Sequence, residues 1–154
     1  MKETLQQVKQ VRGSILIVED EGKMRRLLEL DLGEDGFTTY SAEDAETGLK
    51  LLRENPIDLV LTDLKLPGMN GLEFLQAVKR QNAALPVVVM TAWGSVEGAV
   101  AAVRRGARDY VQKPWENARL LQTLRTQLEL GRALRTGARR HSPLARVVQV
   151  VEPR

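Results

Sequence analysis

LVLTDLKLPGMNGLE, residues 59–73, runs from an apolar stretch into an aspartate and then, within eight positions, a proline and two glycines. The apolar stretch is short enough for a buried strand, and residues 67–71 have the composition of a turn that leads into a helix. Asn70 followed by Glu73 has the cap-x-x-acid spacing that satisfies free N–H groups at a helix start. Asp63 therefore closes a strand at the mouth of a loop. An acid there can cap a helix, ligate a metal or react.

Outward from this stretch, short apolar runs alternate with segments of helical period. The runs are SILIV (14–18), the weaker FTTY (37–40), DLVLT (58–62), PVVVM (86–90) and DYVQ (109–112). Between them Ala45, Gly48, Leu49 and Leu52 fall at i, i+3, i+4 and i+7, as do Val96, Ala99, Val100 and Val103. Each set predicts a helix buried on that side. Ser41 with Asp44 repeats the capping spacing. A last helix from about Glu116 puts Leu120, Leu121, Leu124 and Leu128 on one face. Five strands alternating with five helices predict an α/β fold, a parallel sheet covered on both faces. Right-handed crossovers and short connections favour the flavodoxin-like (βα)5 order 2-1-3-4-5.

The 154 residues suit one domain with a tail, a size that buries ~70% of the unfolded chain's surface. The chain has no cysteine, which removes disulfides and thiol chemistry, and no apolar stretch nears the ~20 residues that span a bilayer. Residues 1–12 read as a polar lead-in without the apolar centre of a secretion signal. A cytoplasmic setting is expected. Of the net +3, residues 131–154 supply +5, from six arginines (132, 135, 139, 140, 146, 154) against Glu152, and residues 1–130 carry −2. The basic end lacks aromatics and any base-reading motif, so it reads as a linker or tail, with no direct nucleic-acid contact expected.

In a parallel sheet all strand C-termini lie along one edge, and ligands bind there at the switch point between strands 1 and 3. Glu19 and Asp20 follow strand 1, Asp63 follows strand 3, Thr91 strand 4 and Lys113 strand 5. The crowded carboxylates need a cation. Hard oxygen donors with no His or Cys among them favour Mg2+. Lys113 adds a charge able to pair with Asp63, and Thr91 a hydroxyl. That is an environment in which a phosphoryl group can be transferred to Asp63, since its charge would be met by cations and donors.

ILIVEDE, LVLTDLKLPGMNGLEFL, VVVMTAWGSVEGAV and GARDYVQKPW together resemble the receiver domain of bacterial two-component response regulators, over about residues 13–130. The resemblance implies a signalling domain rather than an enzyme, phosphorylated on Asp63 by a sensor histidine kinase. It implies Glu19 and Asp20 as the acidic pair, Asp20 the more direct Mg2+ ligand, with the Lys65 backbone carbonyl as a further ligand. Thr91 and Lys113 would hold phosphoryl oxygens, and Tyr110 would be the aromatic that changes rotamer. Glu19 departs from the more usual aspartate, a change that touches water-mediated ligation.

VVVMTAWGSVEGAV and its continuation to Trp115 look most like receivers of NtrC-type transcriptional activators. SPLARVVQVVEPR, residues 142–154, is similar to the opening of the ATPase domain that follows them, although no GxxxxGK[ST] occurs in the chain. Two further readings stand beside transcriptional output. A stand-alone receiver would act through protein contacts, and a flavodoxin-type carrier would need a phosphate loop where this chain has the acidic EDEGK. Homodimerisation is expected through the helix 4–strand 5–helix 5 face or an extension of helix 5 over residues 117–135, which Gly131 and Gly137 weaken. Trp93, beyond Thr91, is placed to report phosphorylation by fluorescence.

Overall fold

The computed structural model describes residues 13–92 and 96–140. Strands β1 (Ser14–Val18), β2 (Thr38–Ala42), β3 (Leu59–Asp63), β4 (Val87–Thr91) and β5 (Asp109–Gln112) alternate with helices α1 (Gly22–Glu34), α2 (Ala45–Glu54), α3 (Gly71–Gln81), α4 (Val96–Arg104) and α5 (Asn117–Arg140). The strands pair in parallel in the order β2-β1-β3-β4-β5, the flavodoxin-like arrangement predicted from the sequence.

Strand side chains alternate between the two faces of the sheet, and the core divides accordingly. Ile15, Ile17, Leu59, Leu61, Val88 and Met90 pack with Leu28 and Leu32 of α1 and with Leu120, Leu124 and Leu128 of α5. Leu16, Val18, Val60, Val87 and Val89 pack with Ala45 of α2, Phe74, Leu75 and Val78 of α3, and Ala102 of α4. Both faces of the central strands are therefore dry, which is why they read as unbroken apolar runs. Gly48 lets α2 approach closely: a Cβ there would sit 3.1 Å from Val18 Cγ2 and 3.2 Å from Phe74 Cζ.

The Asn70–Glu73 capping box forms in both directions, with Glu73 N donating to Asn70 Oδ1 at 2.9 Å and Asn70 N to Glu73 Oε1 at 3.0 Å. The Ser41–Asp44 box does not. β2 runs past residue 40, so Ser41 pairs with Ile17 inside the sheet. Capping of α2 passes to Asp44, whose Oδ1 accepts from Thr47 N at 2.8 Å, and this bond holds the Asp44 carboxyl below its ordinary value.

Helix α4 also departs from its reading. Ala99 and Ala102 are buried, whereas Val96, Val100 and Val103 are 68%, 44% and 43% exposed. The inward line carries small residues because they let the helix lie close to the sheet. Periodicity counted by hydrophobicity favours the larger valines and so rotates the inferred face. Helix α5 keeps its leucine face and continues through Gly131 and Gly137 to Arg140, crossing the boundary expected near residue 130. Arg125 of α5 holds both oxygens of Asp35, the residue that caps α1, at 2.7 Å. The lead-in, the tail beyond 140 and Trp93 lie outside the described residues.

Candidate functional site

Register places the acids side by side. Val18 pairs with Thr62 across β1 and β3, so Glu19, the next residue, stands beside Asp63 at the C-terminal edge. Thr91 ends β4, and Lys113 N donates to its carbonyl at 2.8 Å, carrying β5 one residue further along the same edge. Glu19, Asp63 and Thr91 are buried there at 1%, 7% and 3% exposure. Polar groups sealed this well need partners.

Lys113 supplies the central one. Its Nζ lies 2.7 Å from Asp63 Oδ2 and 2.9 Å from Glu19 Oε1. The second oxygen of each acid accepts a backbone N–H, Lys65 N to Asp63 Oδ1 and Glu21 N to Glu19 Oε2, both at 3.1 Å. Burial pushes the Glu19 carboxyl above its ordinary value against the Lys113 and Glu21 hydrogen bonds, with the Asp63 charge adding to the rise. Burial alone would depress the Lys113 ammonium. The Asp63 and Glu19 carboxylates outweigh it and hold the amine above its ordinary value.

The loop after Asp63 owes its path to a glycine. A Cβ on Gly71 would come within 2.5 Å of Leu64 Cα and 2.7 Å of the Asp63 carbonyl oxygen, backbone atoms that cannot step aside. Gly71 N donates to Leu64 O at 2.9 Å. The chain thus folds back on itself and holds the Lys65 N–H against Asp63.

Glu19, Asp20 and Asp63 each offer a carboxylate oxygen, all within 4.8 Å of one another. An all-oxygen donor set without imidazole or thiolate fits Mg2+ or another hard divalent cation. Asp20 is the exposed member and accepts no hydrogen bond among the described residues. Tyr110, placed with the switch residues, is 49% exposed on β5, where it pairs with Val89. Among the described residues its hydroxyl makes no hydrogen bond to Glu19, Asp63 or Lys113, whose side-chain bonds run between one another.

Two contacts escape a reading of spacing. Lys113 was expected to meet Asp63 and also holds Glu19. Arg25, in the first turns of α1, donates from Nη1 to the Glu19 carbonyl oxygen at 2.7 Å. No local pattern marks either, since each depends on how a long side chain turns back over the sheet edge.

Comparisons with known proteins identify the family. Residues 15–125 match the family model described as response regulator receiver domain. The chain is 39% identical over 119 residues to the response regulator protein PilR of Pseudomonas aeruginosa, covering 77% of this chain and 27% of that protein. It is 36% identical over 105 residues to the DNA-binding transcriptional regulator NtrC of Escherichia coli, covering 68% of this chain and 22% of that one. Among solved structures, the receiver domain of NtrX from Brucella abortus superposes with a TM-score of 0.73 at 38% identity, over 75% of this chain and 98% of that one. The chain thus spans about a quarter of the length of PilR and NtrC. On its sheet order, its edge of acids and lysine, and this match over most of its length, the chain belongs to the response regulator receiver domain family.

Proposed function

We propose that this domain accepts a phosphoryl group on Asp63 from the phosphohistidine of a sensor histidine kinase in the cytoplasm, and that the modification reshapes the α4–β5–α5 face to control transcription. The observation that carries the reading is the placement of Asp63: a buried carboxylate at the strand edge, 2.7 Å from Lys113 Nζ and grouped with Glu19 and Asp20. In the transfer, an Asp63 carboxylate oxygen bonds to phosphorus as the bond from phosphorus to the donor imidazole breaks. The electron pair leaves with that imidazole. The product is an acyl phosphate that water can later hydrolyse.

Asp20, Asp63 and the Lys65 carbonyl would hold Mg2+, with Glu19 acting through water. The bound cation supplies positive charge to offset that of the phosphoryl oxygens. Lys113 and the Thr91 hydroxyl meet those oxygens from the other strands, and the Lys65 N–H keeps Asp63 oriented. Reaching a phosphoryl group draws Thr91 inward, and Tyr110, now exposed, turns toward the space it leaves. The surface that changes already carries Val96, Val100, Val103 and Tyr110 in solvent, an apolar set suited to pairing with a second copy. The similarity to NtrC, a DNA-binding transcriptional regulator by name, supports transcription as the output.

Intact mass after incubation with Mg2+ and acetyl phosphate tests the acceptor. One added phosphoryl group is expected on wild type and none on Asp63→Asn; equal labelling of both would overturn the assignment. Sedimentation with and without beryllofluoride, compared with Thr91→Ala, tests the switch. A shift toward dimer is expected only in wild type with beryllofluoride, and three identical profiles would remove the proposed dimerisation.

A further inference from the structure

Among the described residues, no hydrogen bond holds the Asp20 side chain directly. Its carboxylate is exposed and accepts no hydrogen bond among the described residues, so its direction is set by the backbone beneath it. Glu19 is tied on both sides, its N–H in the peptide unit before it and its carbonyl in the unit that leads to Asp20. Glu19 N donates to Ala42 O at 3.0 Å, and Arg25 Nη1 donates to the Glu19 carbonyl oxygen at 2.7 Å. That carbonyl belongs to the rigid plane that also contains Asp20 N and Asp20 Cα. Rotation of the plane would swing the Asp20 side chain and break the Arg25 bond together. The path of the guanidinium runs beside Gly22, where a Cβ would stand 3.8 Å from Arg25 Nη2.

We infer that Arg25 is the positioning residue for Asp20: by clamping the Glu19–Asp20 peptide plane it aims the exposed carboxylate at the site of the divalent cation. The inference rests on the Mg2+ reading above. A positioning role and a charge effect predict opposite signs. The Arg25 guanidinium is a cation near the acids, so as a charge alone it repels Mg2+, and its removal would tighten binding. As a clamp its removal loosens Asp20 and weakens binding. Residues that orient metal ligands commonly change affinity by tenfold or more when lost, so the positioning effect should win.

The test is Mg2+ titration by calorimetry on wild type, Arg25→Ala and Arg25→Lys, with thermal melts in chelator as a folding control. Arg25→Ala is expected to bind Mg2+ about tenfold more weakly. Arg25→Lys should also bind more weakly than wild type, because an ammonium keeps the charge and lacks the planar fork. The Mg2+ concentration for half-maximal labelling by acetyl phosphate should rise in step. Unchanged or tighter binding by a folded Arg25→Ala overturns the inference. If that variant does not fold, Arg25→Lys decides, and wild-type affinity there overturns it. A wild type that binds no Mg2+ removes the site reading itself, and that failure is distinguished by appearing in all three proteins.

Discussion

Glu19 and Lys113, 94 residues apart in the chain, are joined by a 2.9 Å ion pair in which the glutamate is 1% exposed. Because the same ammonium holds Asp63 at 2.7 Å, the protein carries its own internal cation between two buried acids. Removing that cation leaves each acid with a backbone N–H and no counter-charge. Lys113→Met is expected to lower stability by about 3 kcal/mol, in the range found when one member of a buried pair is deleted. Adding Glu19→Gln should recover part of the loss. Urea denaturation of the single and double variants measures both, and a double variant less stable than the single one would contradict the pairing.

Asp20 carries a charge that Lys113 does not contact. Asp20→Asn should stabilise the metal-free protein by less than about 1 kcal/mol, because the group is exposed, and so raise its melting temperature. It should also abolish the extra stability conferred by Mg2+. Melts in chelator and in Mg2+ give the two values, and a metal-free variant that melts below wild type would make Asp20 a structural residue instead.

Acid stability depends on the cap of α2. Asp44 is held below its ordinary value of 3.8 by the bond from Thr47 N, so the stability it adds is fully present above pH 3.8 and is lost as pH falls through its folded value. Asp44→Asn keeps the accepting oxygen and cannot titrate. Its stability near pH 7 should match wild type, while its decline below pH 3.8 should be shallower. Asp44→Ala should cost about 1 kcal/mol near neutral pH. Stability curves by circular dichroism across pH separate these outcomes.

The loop that presents Lys65 has no room at Gly71. Gly71→Ala should cost about 2–3 kcal/mol by forcing backbone shifts, and should slow labelling of Asp63 because the Leu64 and Asp63 backbone must move. Denaturation and acetyl phosphate labelling, read together, test this. A variant as stable and as rapidly labelled as wild type would show that the loop tolerates displacement.

The sequence by itself determined the sheet. Strands buried on both faces must be apolar at every position, so SILIV and LVLT announce themselves and their order along the chain leaves few topologies. It also located the edge, since polar residues directly after such strands have one place to go. The Asn70–Glu73 cap was legible because its two bonds span three residues. Helix α4 was legible as a helix, whereas which side it buries was not, because the choice between alanines and valines turns on how closely it approaches β4.

Tertiary structure decided the contacts made by long side chains. Lys113 reaches Glu19 as well as Asp63, and Arg25 turns back to the Glu19 carbonyl. Ser41 was lost to the sheet because β1 offered partners to two residues, Ser41 and Ala42, beyond the end of the weak FTTY run. The physical reason is common to all three. Periodicity and capping are set by bonds within a few residues, so they leave a trace in the local order of amino acids. A flexible cation chooses among acceptors brought together only when distant strands align, and no local order records that choice.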